Sequence, residues 1–312
     1  MRDIDLSIYI ITYNHENYIR QAIESVLMQK TNYTYEILIG EDLSTDSTRM
    51  ILRELEQNNP GKLNVFYRDH NMYQEVPSNA DDLRIRCRGR YIIALEGDDY
   101  WITNDKIDSQ IRFLDENPEY IAVCHSCIIV DKNSLPTGEC YPECKQDEYT
   151  LKHFASGILP GQLTTIMYRN YNLDNGFDAS ILNKGLMPWD RALYFSLASQ
   201  GRIYCMNKKM SAYRLIRDEG SSYAANYVYD YDSVIRWNTE LLKYAQMLEN
   251  KEATKFAEAY FVRHLFGAYK AKYCNIKQVY TEFKKVKCKV RAIYMWIMSK
   301  IYRDFFHKEV FY

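Results

Sequence analysis

Tyr91-Ile92-Ile93-Ala94-Leu95-Glu96-Gly97-Asp98-Asp99-Tyr100-Trp101 is the stretch whose reading decides the fold. Five apolar residues in unbroken succession read as a strand covered on both faces, as in a parallel sheet wrapped by helices. The run stops at an acidic turn. Upstream, Leu6 to Ile11 is a second such run, followed by the polar loop Thr12-Tyr13-Asn14-His15 and by Ile19, Ala22, Ile23, Val26 and Leu27 at helical spacing. Glu36 to Gly40 reads as another strand, and in the loop Glu41 to Asp46 the residues Ser44, Thr45 and Asp46 can cap a helix reaching about Asn58. Leu63 to Tyr67 is one more strand, and residues 79–87 read as a short helix. Strands alternating with helices predict an α/β fold with a mostly parallel central sheet and right-handed crossovers.

Downstream, the spacing predicts a helix over 105–117, a strand from Tyr120 to Val130, a turn-rich stretch through Pro136, Gly138, Pro142, Pro160 and Gly161, and a helix over 189–200. From about residue 226 the apolar residues follow three/four spacing throughout, so residues 1–225 read as the sheet domain and 226–312 as a helical region. The composition agrees with a globular chain: 312 residues, 47% apolar and 26% charged. A net charge of -1 excludes a strongly basic nucleic-acid binder. Eight Cys and an N-terminus without a secretory leader predict a reducing, cytoplasmic setting with free thiols. The longest late apolar run, Ala292 to Met298, is too short for a membrane span.

In open parallel sheets, ligands bind beyond the carboxyl ends of the strands. Thr12-Tyr13-Asn14, Glu41-Asp42 and Asp98-Asp99 all fall there. Carboxylates gathered at neighbouring strand ends repel one another, and a divalent cation with oxygen ligands, Mn²⁺ or Mg²⁺, would relieve them. A solvated acidic loop is the plain alternative.

These segments resemble the inverting family 2 glycosyltransferases with the GT-A nucleotide-diphospho-sugar fold. The resemblance rests on Ser7 to Asn14 with Ala22 to Gln29 behind it, on Glu36 to Thr48, and on Cys87 to Ile92 leading into Leu95 to Trp101; it covers roughly residues 6–215. It implies a nucleotide-sugar donor bound by Thr12, Tyr13, Asn14, Asp42, Asp98 and Arg214, with Tyr13 near the base and Asp42 accepting from uracil or thymine. Asp98 and Asp99 match the metal and diphosphate motif, Asp99 as the direct ligand. Met187-Pro188-Trp189-Asp190-Arg191 resembles the segment that supplies the catalytic base, which makes Asp190 that base; a helix N-terminal Asp is the alternative. Thr164 and Thr165 resemble an acceptor-side loop or form an ordinary turn.

The chain departs from the family pattern in three places: Ile11 stands where Pro often precedes Thr-Tyr-Asn, Glu41-Asp42-Leu43-Ser44 replaces an Asp-Asp-Gly-Ser loop, and Tyr213-Arg214-Leu215-Ile216-Arg217 lacks the His that often follows Tyr-Arg. Arg214 and Arg217 can neutralise diphosphate or form surface ion pairs. Ser233 stands where a processive synthase has Gln before Arg236-Trp237, so the expectation is transfer of a single sugar to a glycan or lipid-linked acceptor. A sugar-nucleotide nucleotidyltransferase would want a glycine-rich phosphate loop after the first strand, which Thr12 to Glu16 does not offer. A non-catalytic membrane-peripheral scaffold on the same fold would not need Asp42, Asp98, Asp99 and Asp190 together.

Two further patterns remain. Cys124, Cys127, Cys140 and Cys144 have zinc-like spacing, yet residues three apart on a strand point to opposite faces. His125 and His264 read as packed residues. Between residues 270 and 312 there are eleven Lys and Arg against three Asp and Glu, a local net of +8. An apolar stripe through Val279, Phe283, Val286, Val290, Ile293 and Ile297, opposed by Lys277, Lys284 and Arg291, predicts one helix over about 277–303. It would lie on an anionic membrane surface or pack on another subunit, a homo-oligomer contact, with a solvated basic face as the alternative.

Overall fold

The structure, a computed structural model, describes residues 4–73, 75–173, 177–185, 188–217 and 228–306. Its first half follows the sequence reading. Strand β1 (Leu6–Thr12) leads into helix α1 (Ile19–Leu27), β2 (Tyr35–Glu41), α2 (Thr48–Asn58), β3 (Leu63–Tyr67), α3 (Asn79–Arg86) and β4 (Tyr91–Glu96). β1 pairs in parallel with both β2 and β4, and β2 pairs in parallel with β3. The strand order β3-β2-β1-β4 reverses direction at β1, so the crevice between the carboxyl ends of β1 and β4 is the topological switch point.

Alternation along these strands divides the core. Ile8, Ile10, Ile37, Ile39, Ile93 and Leu95 face a layer that includes Ile19, Ala22, Ile23 and Val26 of α1. Tyr9, Leu38, Ile92 and Ala94 face the opposite layer. Helix α3 begins with a capping box between Ser78 and Asp81, which fixes its first turn.

The second half adds strands that the sequence reading lacked. After β5 (Tyr100–Trp101) and α4 (Lys106–Glu116) come β6 (Tyr120–Val130), β7 (Glu148–Tyr149), α5 (Leu151–Ala155), β8 (Met167–Arg169), α6 (Trp189–Gln200) and β9 (Arg202–Arg214). β8 inserts antiparallel between β4 and β6, while β9 runs parallel to β6 and pairs antiparallel with β5 and β7. Strands of two or three residues carry no period to read, and β9 interrupts its apolar pattern at Asn207, Lys208 and Lys209, beside the register shifts of its pairing with β6.

The helices α7 (Tyr231–Met247), α8 (Lys251–Lys270), α9 (Ile276–Phe283) and α10 (Lys289–Phe306) complete the described chain. The boundary read at 225 lies outside the described residues. Trp237 of α7 and Tyr260 of α8 pack on Phe154 of α5, with Tyr260 4.5 Å from it between ring centroids. These helices therefore share a core with one face of the sheet.

The expected single helix over 277–303 is two helices. Fully buried Glu258 of α8 causes the break: its Oε1 accepts the Lys287 and Cys288 N–H groups at 3.0 and 3.3 Å, and its Oε2 accepts from Arg291 at 2.8 Å. A carboxylate at the start of α10 satisfies N–H groups that lack helical partners and complements the dipole. No Gly or Pro marks this joint, so nothing local announces it.

The cysteines are all free thiols. Cys124 donates to the Pro160 carbonyl at 2.9 Å and Cys144 to the Gln146 carbonyl at 3.6 Å, while Cys140 is exposed. Among the described residues no group of His and Cys is arranged to hold a metal. His125 is buried against Lys106, Nε2 to Nζ 2.7 Å, and His264 packs edge-on to Tyr260 at 4.3 Å.

Candidate active site

The site grows from the ends of β1, β2 and β4. The Asp42 N–H donates to the Thr12 carbonyl at 3.0 Å, which joins the first two loops directly. Asn14 adopts a left-handed conformation (φ 56°), which Asn tolerates; its Oδ1 accepts the Thr45 N–H at 2.8 Å and its own N–H donates to Ser44 Oγ at 3.0 Å. Asn14 thus ties the two loops together.

Glu41 is fully buried and paired with Arg49, and it accepts the Ser44 N–H at 2.6 Å. It stands apart from the acidic cluster at Asp98, so the expectation of one group of strand-end carboxylates is corrected. Asp42 is also separate: its Oδ1 accepts the Met72 N–H at 2.8 Å, and burial pushes its carboxyl up against the opposing pull of that bond and of Arg68.

At the end of β4 the chain turns tightly at Gly97, where a Cβ would lie 2.7 Å from His15 Nδ1 and 2.8 Å from Thr12 Oγ1. Only glycine lets the turn approach the β1 loop that closely. One carboxylate oxygen each from Glu96, Asp98 and Asp99 fall within 4.8 Å of one another. Burial, then Asp98, then Asp190 push the Glu96 carboxyl up to about 8. Burial, then Asp98 and Glu96, hold Asp99 well above the usual carboxylate range. Three close oxygen donors whose charges oppose one another are the donor set of a hard divalent cation, so these residues fit Mg²⁺ or Mn²⁺.

Asp99 is buried, with Oδ1 accepting the Arg214 N–H at 2.8 Å and Oδ2 accepting from Gln162 Nε2 at 3.0 Å. Gln162 also reaches Glu96 Oε2 at 3.4 Å and so bridges two of the three carboxylates. Asp98 is more open and lies 3.9 Å from His15 Nε2. The sequence reading assigned a role to neither Gln162 nor His15. The sequence signal for Gln162 is its place in the turn after Pro160 and Gly161.

Thr164 and Thr165 are fully buried in a short 3₁₀ turn, with Thr165 Oγ1 donating to the Gln162 carbonyl at 2.6 Å. They support the Gln162 turn and do not face an open loop. Arg214 is likewise 2% exposed. Its guanidinium donates to the carbonyls of Asp98 (2.8 Å) and Asp131 (2.9 Å) and to Gln21 Oε1 (2.9 Å), and packs over the Tyr18 ring at 4.3 Å. That arrangement clamps the Asp98-Asp99 turn to α1 and to the end of β6. A polar cavity of about 530 Å³, lined by Asn17, Tyr18, Gln21, Lys132, Asn133 and Ser134, opens beside this clamp. Arg217 forms a surface ion pair with Glu139 at 2.7 Å.

Asp190 is the second residue of α6, and its Oδ1 accepts the Arg191 N–H at 2.8 Å. Burial raises its carboxyl, with Arg191 pulling the other way, and its charge is felt at Glu96. Asp190, distant in sequence, therefore lies near enough to the carboxylates of β4 for its charge to act on Glu96. Met187, in the segment that resembles the base-supplying one, lies outside the described residues.

Comparison with known proteins agrees with this fold. The family described as "Glycosyl transferase family 2" matches residues 7–162, half of the chain. The chain belongs to this family. Its mixed α/β architecture, a central sheet flanked by helices, is the one expected of the GT-A fold.

An uncharacterized protein of Mycobacterium tuberculosis is 28% identical over 214 residues, 67% of this chain and 58% of that protein. The chain thus spans under two thirds of the length of this relative. Bacillus subtilis TuaG, named for teichuronic acid biosynthesis, is 29% identical over 220 residues, 70% of this chain and 81% of TuaG. Among solved structures, residues 1–349 of S. aureus TarS in complex with UDP-GlcNAc superpose with a TM-score of 0.65 at 14% identity, covering 96% of this chain and 92% of that one. At that identity the likeness is one of fold.

Proposed function

We propose that the protein moves one sugar from a UDP-linked donor to a hydroxyl of a glycan or lipid-linked acceptor, with inversion at the anomeric carbon, in the synthesis of a cell-surface polysaccharide. The observation that carries this reading is the gathering of Glu96, Asp98 and Asp99 at the switch point, with the charge of Asp190 acting on Glu96. Names among relatives support the donor and acceptor classes. An Escherichia coli protein named as a UDP-Glc:alpha-D-GlcNAc-diphosphoundecaprenol beta-1,3-glucosyltransferase is 32% identical over 134 residues, 43% of this chain and 49% of that one.

In this reading Thr12, Tyr13 and Asn14 form the edge against which the nucleoside lies, and Asp42 offers a carboxylate oxygen to the ring N–H of uracil. Asp98 and Asp99, helped by Glu96, would hold Mn²⁺ or Mg²⁺, and the bound cation would supply Lewis-acid stabilisation of negative charge on the diphosphate. Arg214 keeps the Asp98-Asp99 turn in place through its backbone and guanidinium bonds. Asp190 removes the proton of the attacking hydroxyl, and burial, by raising its basicity, suits it to that task. No helix among the described residues is long and apolar enough to cross a membrane, and the setting proposed is the cytoplasmic face of a membrane that presents the acceptor.

The test is UDP release from a panel of nucleotide sugars with Mn²⁺ and with chelator. Release from a UDP-sugar that stops in chelator supports the reading; release from none, or release indifferent to chelator, removes the donor or the metal assignment respectively.

A further inference from the structure

Helix α10 is apolar on two opposite sides. Its inner side packs against α8: Ala292 is fully buried, Ser299 nearly so, and the Trp296 ring sits 5.2 Å from Phe266. On an ideal helix Val290, Tyr294, Ile297, Met298 and Ile301 form a second stripe about half a turn away. All five are exposed, from 84% at Val290 to 40% at Met298. The helix and turn before it add Tyr273, Ile276 and Tyr280, also exposed. The stripe read from the sequence divides between the two sides: Val279 and Val286 are buried and Phe283 and Ile293 pack against the core, while Val290 and Ile297 belong to the outer stripe.

The flanks of the outer stripe are basic. On the same wheel exposed Lys289 and Lys300 border one edge, Arg291 on the other edge is turned inward to its ion pair with Glu258, and the surrounding segment carries the +8 noted above. Aliphatic residues and a Tyr in a row, edged by cations, suit the boundary between headgroups and acyl chains of an anionic bilayer. A two-fold contact between copies would lay this stripe on itself and bring like-charged flanks together, which opposes that occupant. The inner side is anchored by the Arg291–Glu258 ion pair and the Trp296–Phe266 contact, so the outer side is held at a fixed orientation to the catalytic body.

We infer that the outer face of α10 is a membrane-contact surface for anionic lipid, with Val290, Tyr294, Ile297, Met298 and Ile301 entering the interface and Lys300 meeting headgroups. This rests on the membrane setting proposed above and names the surface that serves it; it does not depend on the transferase chemistry.

The experiment is co-sedimentation of the full-length protein with vesicles of phosphatidylcholine alone and of phosphatidylcholine mixed with phosphatidylglycerol. Binding is expected to the mixed vesicles and to fall with added salt. Tyr294→Ser combined with Ile297→Ser and Ile301→Ser lowers partitioning by roughly tenfold or more, with the thermal midpoint and UDP affinity unchanged. Lys300→Glu lowers it by a smaller factor. Wild-type protein that ignores anionic vesicles overturns the inference, as does a triple variant that binds them as well as wild type. So does a wild-type dimer, seen by analytical ultracentrifugation, that the triple variant dissolves. UDP binding is read separately, so its failure would remove the transferase reading and leave the lipid result standing.

Discussion

The β4 turn and the outer face of α10 are both incompletely satisfied, in opposite currencies. At the turn, three carboxylates gather within 4.8 Å and push one another's proton affinities up. On α10, five apolar side chains stand in solvent while charge is plentiful beside them. Concentrated like charge calls for something small and hard, because Coulomb energy falls with distance and a cation can sit between the oxygens. Spread apolar area calls for something wide and soft, because hydrophobic gain grows with area covered. The first feature therefore points to chemistry and the second to location, and each can be broken without the other.

The largest effects belong to the cleft. Asp190→Asn keeps the shape of the α6 N-terminus while removing the proton acceptor, so transfer should fall by roughly 10²–10⁴ with UDP affinity within a few-fold of wild type. Asp99→Asn should instead weaken Mn²⁺-dependent UDP binding and lower donor hydrolysis and transfer together. Calorimetry beside steady-state kinetics distinguishes the two. An Asp190→Asn enzyme that loses UDP binding, or transfers normally, would show that the two carboxylates do not divide the work in this way.

The next effect is on stability. A carboxyl raised by folding binds protons more tightly in the native state, so it favours the fold at low pH and withdraws that contribution as pH rises. For Glu96 the window runs from its unperturbed 4.5 to about 8. Asp99 acts in the same direction. Without divalent cation the thermal midpoint should therefore decline across that window, each pKa unit being worth about 1.4 kcal/mol at most. Mn²⁺ should raise the midpoint most at the upper end, where the ligands are already deprotonated. A midpoint flat from pH 5 to pH 8, with Mn²⁺ equally stabilising at both ends, would mean the carboxylates are not strained as described.

At the other region, Glu258→Ala should cost about 1–3 kcal/mol by leaving the Lys287 and Cys288 N–H groups without their acceptor. Hydrogen exchange should then speed up at the start of α10 and not at β1 or β4. Uniform acceleration would mean the helices and the sheet open as one unit.

The same contrast explains what was legible. The β1-β2-β3-β4 half could be read because its strands are continuous apolar runs and its helices carry one clear stripe. Asp42, Asp98 and Asp99 were legible because strand ends in parallel sheets are where ligands lie. Gln162 and His15 were not, since each acts through a partner far off in sequence: Gln162 through Glu96 and Asp99, and His15 through the Gly97 turn. Arg214 was visible as a cation, but its service to the Asp98 carbonyl and the Asp99 carboxylate depends on β9 lying beside β5. On α10 both apolar stripes follow helical spacing, and only packing against α8 tells which one is covered.

The smallest effect is expected at Leu43, where the family pattern has glycine. Leu43 has φ 61°, a conformation that places Cβ against the following carbonyl and costs roughly 1–2 kcal/mol for an L-residue. Its side chain is 37% exposed, so packing offsets only part of the strain. Leu43→Gly removes the clash but adds unfolded-state freedom worth about 0.5–1 kcal/mol, leaving a net gain of about 1 kcal/mol or less. Leu43→Ala keeps Cβ and should gain nothing. Denaturant melts of the two variants measure the difference, and UDP titration shows whether the strain holds Asp42 in position. If Leu43→Gly gains stability and loses UDP affinity, the donor end of the cleft, like its carboxylates, is held in a conformation that costs stability for the sake of its ligand. If affinity is unchanged, strain in the cleft is confined to the charges at Glu96, Asp98 and Asp99.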